Sequence, residues 1–262
     1  MKISRFTTCV SLAALTLAIG SAPAFAQAAA TAPAADDAAN EDIVVTATTG
    51  DKTTLRSSIS VSQVDQEAVA AFTPRSEAEV LRMIPGINPQ DTAGPGGNSN
   101  IGVRGIPVST GGSEYVALQE DGLPVTLFGD IQFGNNDYWL RFDGSTERVE
   151  AVRGGSASTF ASQAPGAVVN YISRTGDEEG GQIGLSRGVD YRESRIDFRY
   201  GAHINDTPRF HIGGYAREGG GPTNESFNVL RGYQIKANLT QELADGRGYI
   251  RLLFKRLDER AP

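Results

Sequence analysis

The sequence predicts an α+β domain followed by a run of antiparallel strands, and three observations carry that prediction. Residues 53–174 mix one helical segment with short strand segments separated by turn residues. After residue 174 the helical spacing gives way to strict alternation of apolar and polar side chains. No segment after residue 26 is a continuous apolar run of about 20 residues, so any membrane span has to be made of strands.

In the first part, the spacing predicts a helix over 74–84. Thr73 would cap it, Pro74 would take the first helical position, Val80, Leu81 and Ile84 would share a face, and Pro85-Gly86 would stop it. A Gly- and Asn-rich loop runs from Asp91 to Asn100, and strands are expected at 101–104, 115–120, 148–153 and 168–173. Asp121-Gly122 reads as a turn in which Gly122 supplies a positive φ.

In the second part, Tyr233, Ile235, Ala237 and Leu239 share one strand face, and Gln234, Lys236, Asn238 and Thr240 share the other. Ile196, Phe198 and Tyr200 likewise oppose Arg195, Asp197 and Arg199; Phe210 and Ile212 oppose His211 and Gly213; and Ile250, Leu252 and Phe254 oppose Arg251 and Lys255. An outer-membrane barrel needs this pattern, and a soluble antiparallel sandwich gives the same one. The 88 residues after residue 174 make roughly five strands at ~10 residues each plus turns. The smallest bacterial membrane barrel has about eight. Either the five form a small soluble sheet, which folds without detergent, or the chain continues past Pro262.

Residues 1–26 read as an export signal: Lys2 and Arg5 start it, 10–19 are apolar, and Ala24-Phe25-Ala26 is a small-x-small cleavage site. Cys9 precedes the apolar run, so a lipid-modified cysteine does not fit, and the processed chain has no cysteine. That excludes disulfides, thiolate nucleophiles and Cys-ligated metals. Residues 27–40, with eight alanines, read as a flexible tether. The formal charge is −7, and −9 once Lys2 and Arg5 are removed, which makes nucleic acid a poor partner. His203 and His211 are the two histidines, both in strand-like segments, and there is no G-x-S-x-G, H-E-x-x-H or phosphate-binding loop. The sequence therefore predicts neither catalytic residues nor a resident metal or cofactor.

An ordered run of motifs gives these parts a family likeness. Ile43-Val44-Val45-Thr46-Ala47, within 41–48, resembles the TonB box of the TonB-dependent receptors. Val80 to Ile87 (VLRMIPGI) resembles their "LL…PGV" helix end, and Val103-Arg104-Gly105 resembles their "IRG". Glu120 to Val125 (EDGLPV) resembles "DGVPV", Glu147 to Glu150 (ERVE) resembles "ERVEV", and Gly166 to Arg174 (GAVVNYISR) resembles the "GGVINIVTK" that closes the plug. One departure is RGGSASTFAS at 153–162, where the family has "RGPASALYG".

The resemblance implies an α+β plug domain at 53–174 and, at 175–262, the first five or so strands of an incomplete transmembrane β-barrel, about four-fifths of a 22-stranded barrel lying elsewhere. It implies a place in the outer membrane of a Gram-negative bacterium, among its lipids, and an extracellular ligand of siderophore, vitamin or glycan class. The periplasmic partner would be the energy-transducing protein TonB, taking Ile43, Val44, Val45, Thr46 and Ala47 as an added strand. Arg104 and Arg153 match plug arginines that meet barrel glutamates in relatives, with Glu147 and Glu150 as local alternatives. Asn98, Asn100, Asn135, Asn136, Tyr138 and Trp139 are the expected ligand-facing residues, although a core or interface role suits the two aromatic ones equally well. A second reading, an exported soluble β-rich binding module, stays open at this point.

Overall fold

The computed structural model describes residues 44–45, 52–53, 60–72, 74–91, 99–106, 115–125, 136–161, 164–220, 228–243 and 247–260. The export signal, the tether, Ile43, Thr46 and Ala47 of the expected TonB box, Thr73, Asn98 and Asn135 lie outside the described residues.

Strand β1 (Val44–Val45) pairs antiparallel with β2 (Lys52–Thr53). The α+β domain follows, beginning with β3 (Ser60–Asp65), α1 (Gln66–Phe72), α2 (Glu77–Arg82), β4 (Ile87–Asp91) and β5 (Ser99–Val103). It continues through β6 (Val116–Glu120), β7 (Leu123–Pro124), β8 (Thr146–Arg153) and β9 (Ala167–Ser173). The central sheet has the order β3-β8-β9-β6-β7, with β6 and β9 parallel and the other pairs antiparallel, while β4 and β5 form a separate ribbon. Val69, Val80, Leu81, Ile84, Ile101, Leu118, Leu140, Val149, Val169 and Tyr171 make its core. Each buried Leu, Ile or Val contributes about 1.5–3 kcal/mol.

The expected helix over 74–84 is shorter than its spacing suggested. Ser76, not Thr73, is the N-cap, and its hydroxyl accepts from the Glu79 N–H at 3.4 Å. Glu79 reaches back to accept from the Arg75 N–H at 2.7 Å. Ser76-x-x-Glu79 is thus a capping box displaced by one residue, and it leaves Pro74 outside the helix. Helix α1 was not expected. It starts where the Asp65 carboxylate accepts from the Ala68 N–H at 2.8 Å. At the Asp121-Gly122 turn both residues have positive φ, 50° and 83°, so the Asp shares the left-handed geometry expected of the Gly alone.

Five long strands complete the fold as a meander: β10 (Gly180–Arg187), β11 (Glu193–His203), β12 (Pro208–Gly219), β13 (Leu230–Glu242) and β14 (Tyr249–Arg260). All but β10 have 11 to 13 residues, enough to cross a bilayer on a tilt at ~9–11 residues. The sheet is open, with β10 and β14 at its edges.

The polarity of this sheet separates the two readings left open by alternation. Gln234, Lys236, Asn238 and Thr240 are buried, as are His211 and Arg217 of β12, on the face from which Gln234, Lys236 and Asn238 contact the α+β domain. Ile196, Tyr200, Ile212, Leu239, Ile250, Leu252 and Phe254 are exposed on the opposite face. A soluble sandwich buries its apolar face. Here the polar face is inside and the apolar one outside, as in a membrane barrel. No described helix is long and apolar enough to cross a membrane.

Candidate functional site

The site is the seat where the α+β domain meets the inner face of β10–β14. Three domain segments build it: the end of β6, the stretch from a 3-10 turn (Asn136–Trp139) to Ser145, and the exit of β9. The middle segment has almost no ladder of its own, so its backbone groups are satisfied by side chains from elsewhere. Glu77, in the first turn of α2, accepts from the Phe142 N–H at 2.6 Å. Arg195 of β11 donates to the Phe142 carbonyl at 3.1 Å, and Gln234 of β13 donates to the Arg141 carbonyl at 3.2 Å and to Asp143 Oδ2 at 2.6 Å.

Charged side chains do most of the joining. Arg141 Nε donates to Glu259 Oε2 at 2.6 Å, and the other Glu259 oxygen accepts from Arg217 Nε at 2.5 Å and from the Tyr215 hydroxyl at 3.1 Å. The three charged side chains are 2–5% exposed. The Arg195 guanidinium lies 4.1 Å from the centre of the Tyr215 ring, a stacking contact that carries its charge into the same cluster. Further along, Glu120 at the end of β6 takes Lys236 Nζ at 2.6 Å on one oxygen and Lys255 Nζ at 2.5 Å on the other. At the β9 exit, Asn238 donates to the Arg174 carbonyl.

The electrostatics follow from burial set against these neighbours. Burial pushes the Glu120 carboxyl up, but Lys236 and Lys255 outweigh it and hold the group below the ordinary carboxylate value. Glu77 goes the other way: burial raises it, and Arg141 and the Phe142 N–H offset this only in part. Because the folded value of Glu120 is depressed, its stabilisation is fully present above the unfolded carboxylate pKa and is lost as pH falls through the lowered one. The stability difference between wild type and Glu120→Gln should therefore shrink on acidification. Parallel unfolding series in detergent would refute this if the gap stayed constant down to strongly acid pH.

One glycine sets how closely domain and wall approach. A Cβ on Gly213 of β12 would lie 2.5 Å from the Ser145 hydroxyl oxygen and 2.9 Å from the Phe198 carbonyl oxygen. Gly213→Val should therefore unseat the domain at this point and cost about 1–3 kcal/mol as overpacking. A thermal unfolding midpoint equal to that of wild type would contradict it.

The expected site residues fall in different places. Arg104, with φ 47°, and Arg153 come together on the domain, where Arg104 donates to the Ser60 hydroxyl at 2.7 Å and Arg153 donates to the Ser62 hydroxyl at 2.6 Å and to the Pro85 carbonyl. Burial, and then the neighbouring Arg104, lower the Arg153 pKa. Glu147 and Glu150 both pair with Arg148, Glu150 at 2.8 Å. Contacts to the strands come instead from Glu120, Trp139, Arg141, Phe142, Asp143 and Arg174. Tyr138 and Trp139 are exposed on the 3-10 turn, and the Trp139 carbonyl accepts from Lys255 Nζ at 2.6 Å. Asn100 is half-buried on β5, opposite Gln90, and Asn136 opens the 3-10 turn. Among the described residues no cluster of three or more His, Cys, Asp and Glu could hold a metal ion.

Against known families, residues 53–168 match the model of the TonB-dependent receptor plug domain. This domain is a TonB-dependent receptor plug. The chain that carries it is similar to the vitamin B12 transporter BtuB of Vibrio vulnificus, 25% identical over 199 residues that cover 75% of this chain and 29% of that protein. It is also similar to the ferric enterobactin receptor of Pseudomonas aeruginosa, 29% identical over 132 residues that cover 45% of this chain and 17% of the relative. Among solved structures, the siderophore receptor PirA of Acinetobacter baumannii superposes with a TM-score of 0.58 at 19% identity, covering 74% of this chain and 31% of that one. The alcaligin receptor FauA of Bordetella pertussis superposes with a TM-score of 0.58 at 20% identity, covering 76% and 32%. The chain thus spans under a third of the length of these relatives. Plug and outward-facing apolar strands together make this an outer-membrane protein of the Gram-negative type, with the plug lying against the inner face of its wall strands.

Proposed function

We propose that this chain supplies the plug and first wall strands of a TonB-dependent receptor that takes up a scarce ligand of siderophore, vitamin or glycan class by energised displacement of the plug. The observation that carries the reading is the polar character of the seat. Ion pairs and amide contacts join plug to wall through Glu120, Arg141, Asp143, Lys236, Lys255 and Glu259. An interface of this kind can part and re-form without exposing a large apolar surface, whereas a shared hydrophobic core cannot. The similarity to a vitamin B12 transporter and a ferric enterobactin receptor supports the first two ligand classes.

In this reading the segment 43–47 passes to TonB as an added strand, and Tyr138 and Trp139 stand exposed toward the ligand. Arg104 and Arg153 meet carboxylates on wall strands outside this chain. The test is accumulation of labelled ferric siderophores, cobalamin and oligosaccharides by cells carrying or lacking the full-length receptor, with and without a protonophore. Uptake of one class that requires both the receptor and the proton gradient is expected. Receptor-dependent uptake indifferent to the protonophore would overturn the energised mechanism.

A further inference from the structure

Strands β13 and β14 place Lys236 and Lys255 directly opposite each other in register, both reaching Glu120 of the plug. Like charges at directly opposed positions of neighbouring strands destabilise a sheet, and burial removes the water that would screen them. The Lys236 side chain is 9% exposed and that of Lys255 26%. The carboxylate in direct contact with both is Glu120, with one oxygen on each ammonium group. Nearby Asp143, which accepts from Gln234 Nε2 and the Ser145 N–H, adds a second plug carboxylate whose charge acts on both lysines. Beside the trio is a cavity of about 520 Å³ whose lining includes Trp139, His211 and Asn238.

Glu120 belongs to the plug and the lysines to the wall, so the bridge is intact only while the plug is seated. A plug that moves takes the counter-ion away and leaves two opposed cations facing the cavity. We propose that Lys236 and Lys255 form an oxyanion-binding site in the wall, which Glu120 fills as a built-in occupant and which accepts a small carboxylate- or phosphate-type anion once Glu120 has left. That such an anion belongs to a passing ligand rests on the transport reading above; the existence of the site does not.

The test uses the full-length receptor in detergent micelles, with Glu120→Gln to remove the charge of the built-in occupant and inorganic phosphate as the probe, titrated against chloride at constant ionic strength. Phosphate is expected to raise the unfolding midpoint of Glu120→Gln by a few degrees and saturably. It should leave wild type unmoved, and it should lose its effect when Lys236→Gln and Lys255→Gln are added. A flat response from Glu120→Gln, or an equal response from the triple variant, overturns the proposal. Should Glu120→Gln fail to assemble, adding Lys236→Gln is expected to restore assembly by relieving the repulsion, and failure to restore it also overturns the proposal. Absence of transport in the uptake assay would sink the function proposed above and leave this titration intact.

Discussion

Replacing Glu259 with alanine is expected to cost about 3–5 kcal/mol, because it leaves the buried guanidinium groups of Arg141 and Arg217 without their shared carboxylate. The Tyr215 hydroxyl loses its acceptor in the same step. The expected readouts are a lower unfolding midpoint in detergent and faster proteolysis of the plug, with Glu259→Gln falling between alanine and wild type because it keeps the bulk and part of the hydrogen bonding. Added salt should not mimic the effect, since buried pairs are screened far less than exposed ones. A midpoint for Glu259→Ala within the range of a surface substitution, about 0.5 kcal/mol, would show that the ion pairs do not hold the seat.

The second large effect concerns β1. Val45→Pro removes a backbone N–H that an added strand needs, and the ring obstructs the approach of a neighbouring strand. A lost backbone bond is worth about 1 kcal/mol, so TonB association should weaken by roughly tenfold or more once the steric misfit is included. Energised uptake should fall accordingly while ligand binding at the cell surface stays as in wild type. Val45→Ala, which keeps the N–H, should transport normally. Equal uptake by the proline and alanine variants would remove this segment from the mechanism. In the structure Val44 and Val45 already pair with Thr53 and Lys52, so an incoming sheet edge must either use the free side of β1 or replace β2.

The alternation of residues 233–240 was legible at the level of local chemistry, and it assigned every side chain to the correct face. Which face points inward was not legible, because alternation reports only that the two faces differ. The answer depends on Arg141, Asp143 and Glu120, which sit on another domain. The seat itself was hidden for the same reason: Arg141 meets Glu259 across 118 positions and Lys255 meets Glu120 across 135. The segment from Leu140 to Ser145 has neither helical nor strand period to draw attention to it. The start of helix α2 was placed three residues too early although Ser76-x-x-Glu79 stood in the sequence, since Pro74 offered a more familiar start and Thr73 a competing cap. Family motifs located Arg104 and Arg153 but said nothing of the Ser60 and Ser62 hydroxyls that hold them.

The link between plug and wall is short. Strand β9 ends at Ser173 and β10 begins at Gly180, and six residues fully extended reach only about 20 Å. Part of that length is already fastened: Asp177 is held by Arg209 at 2.6 Å, and a side chain on Gly176 would collide with the backbone of Phe210. Any departure of the plug from the wall is consequently a swing about a fixed edge. A plug that left its seat would move as a door hung at residues 174–179 and not as a stopper drawn from a bottle, and the gap it opened would be widest on the side away from β10.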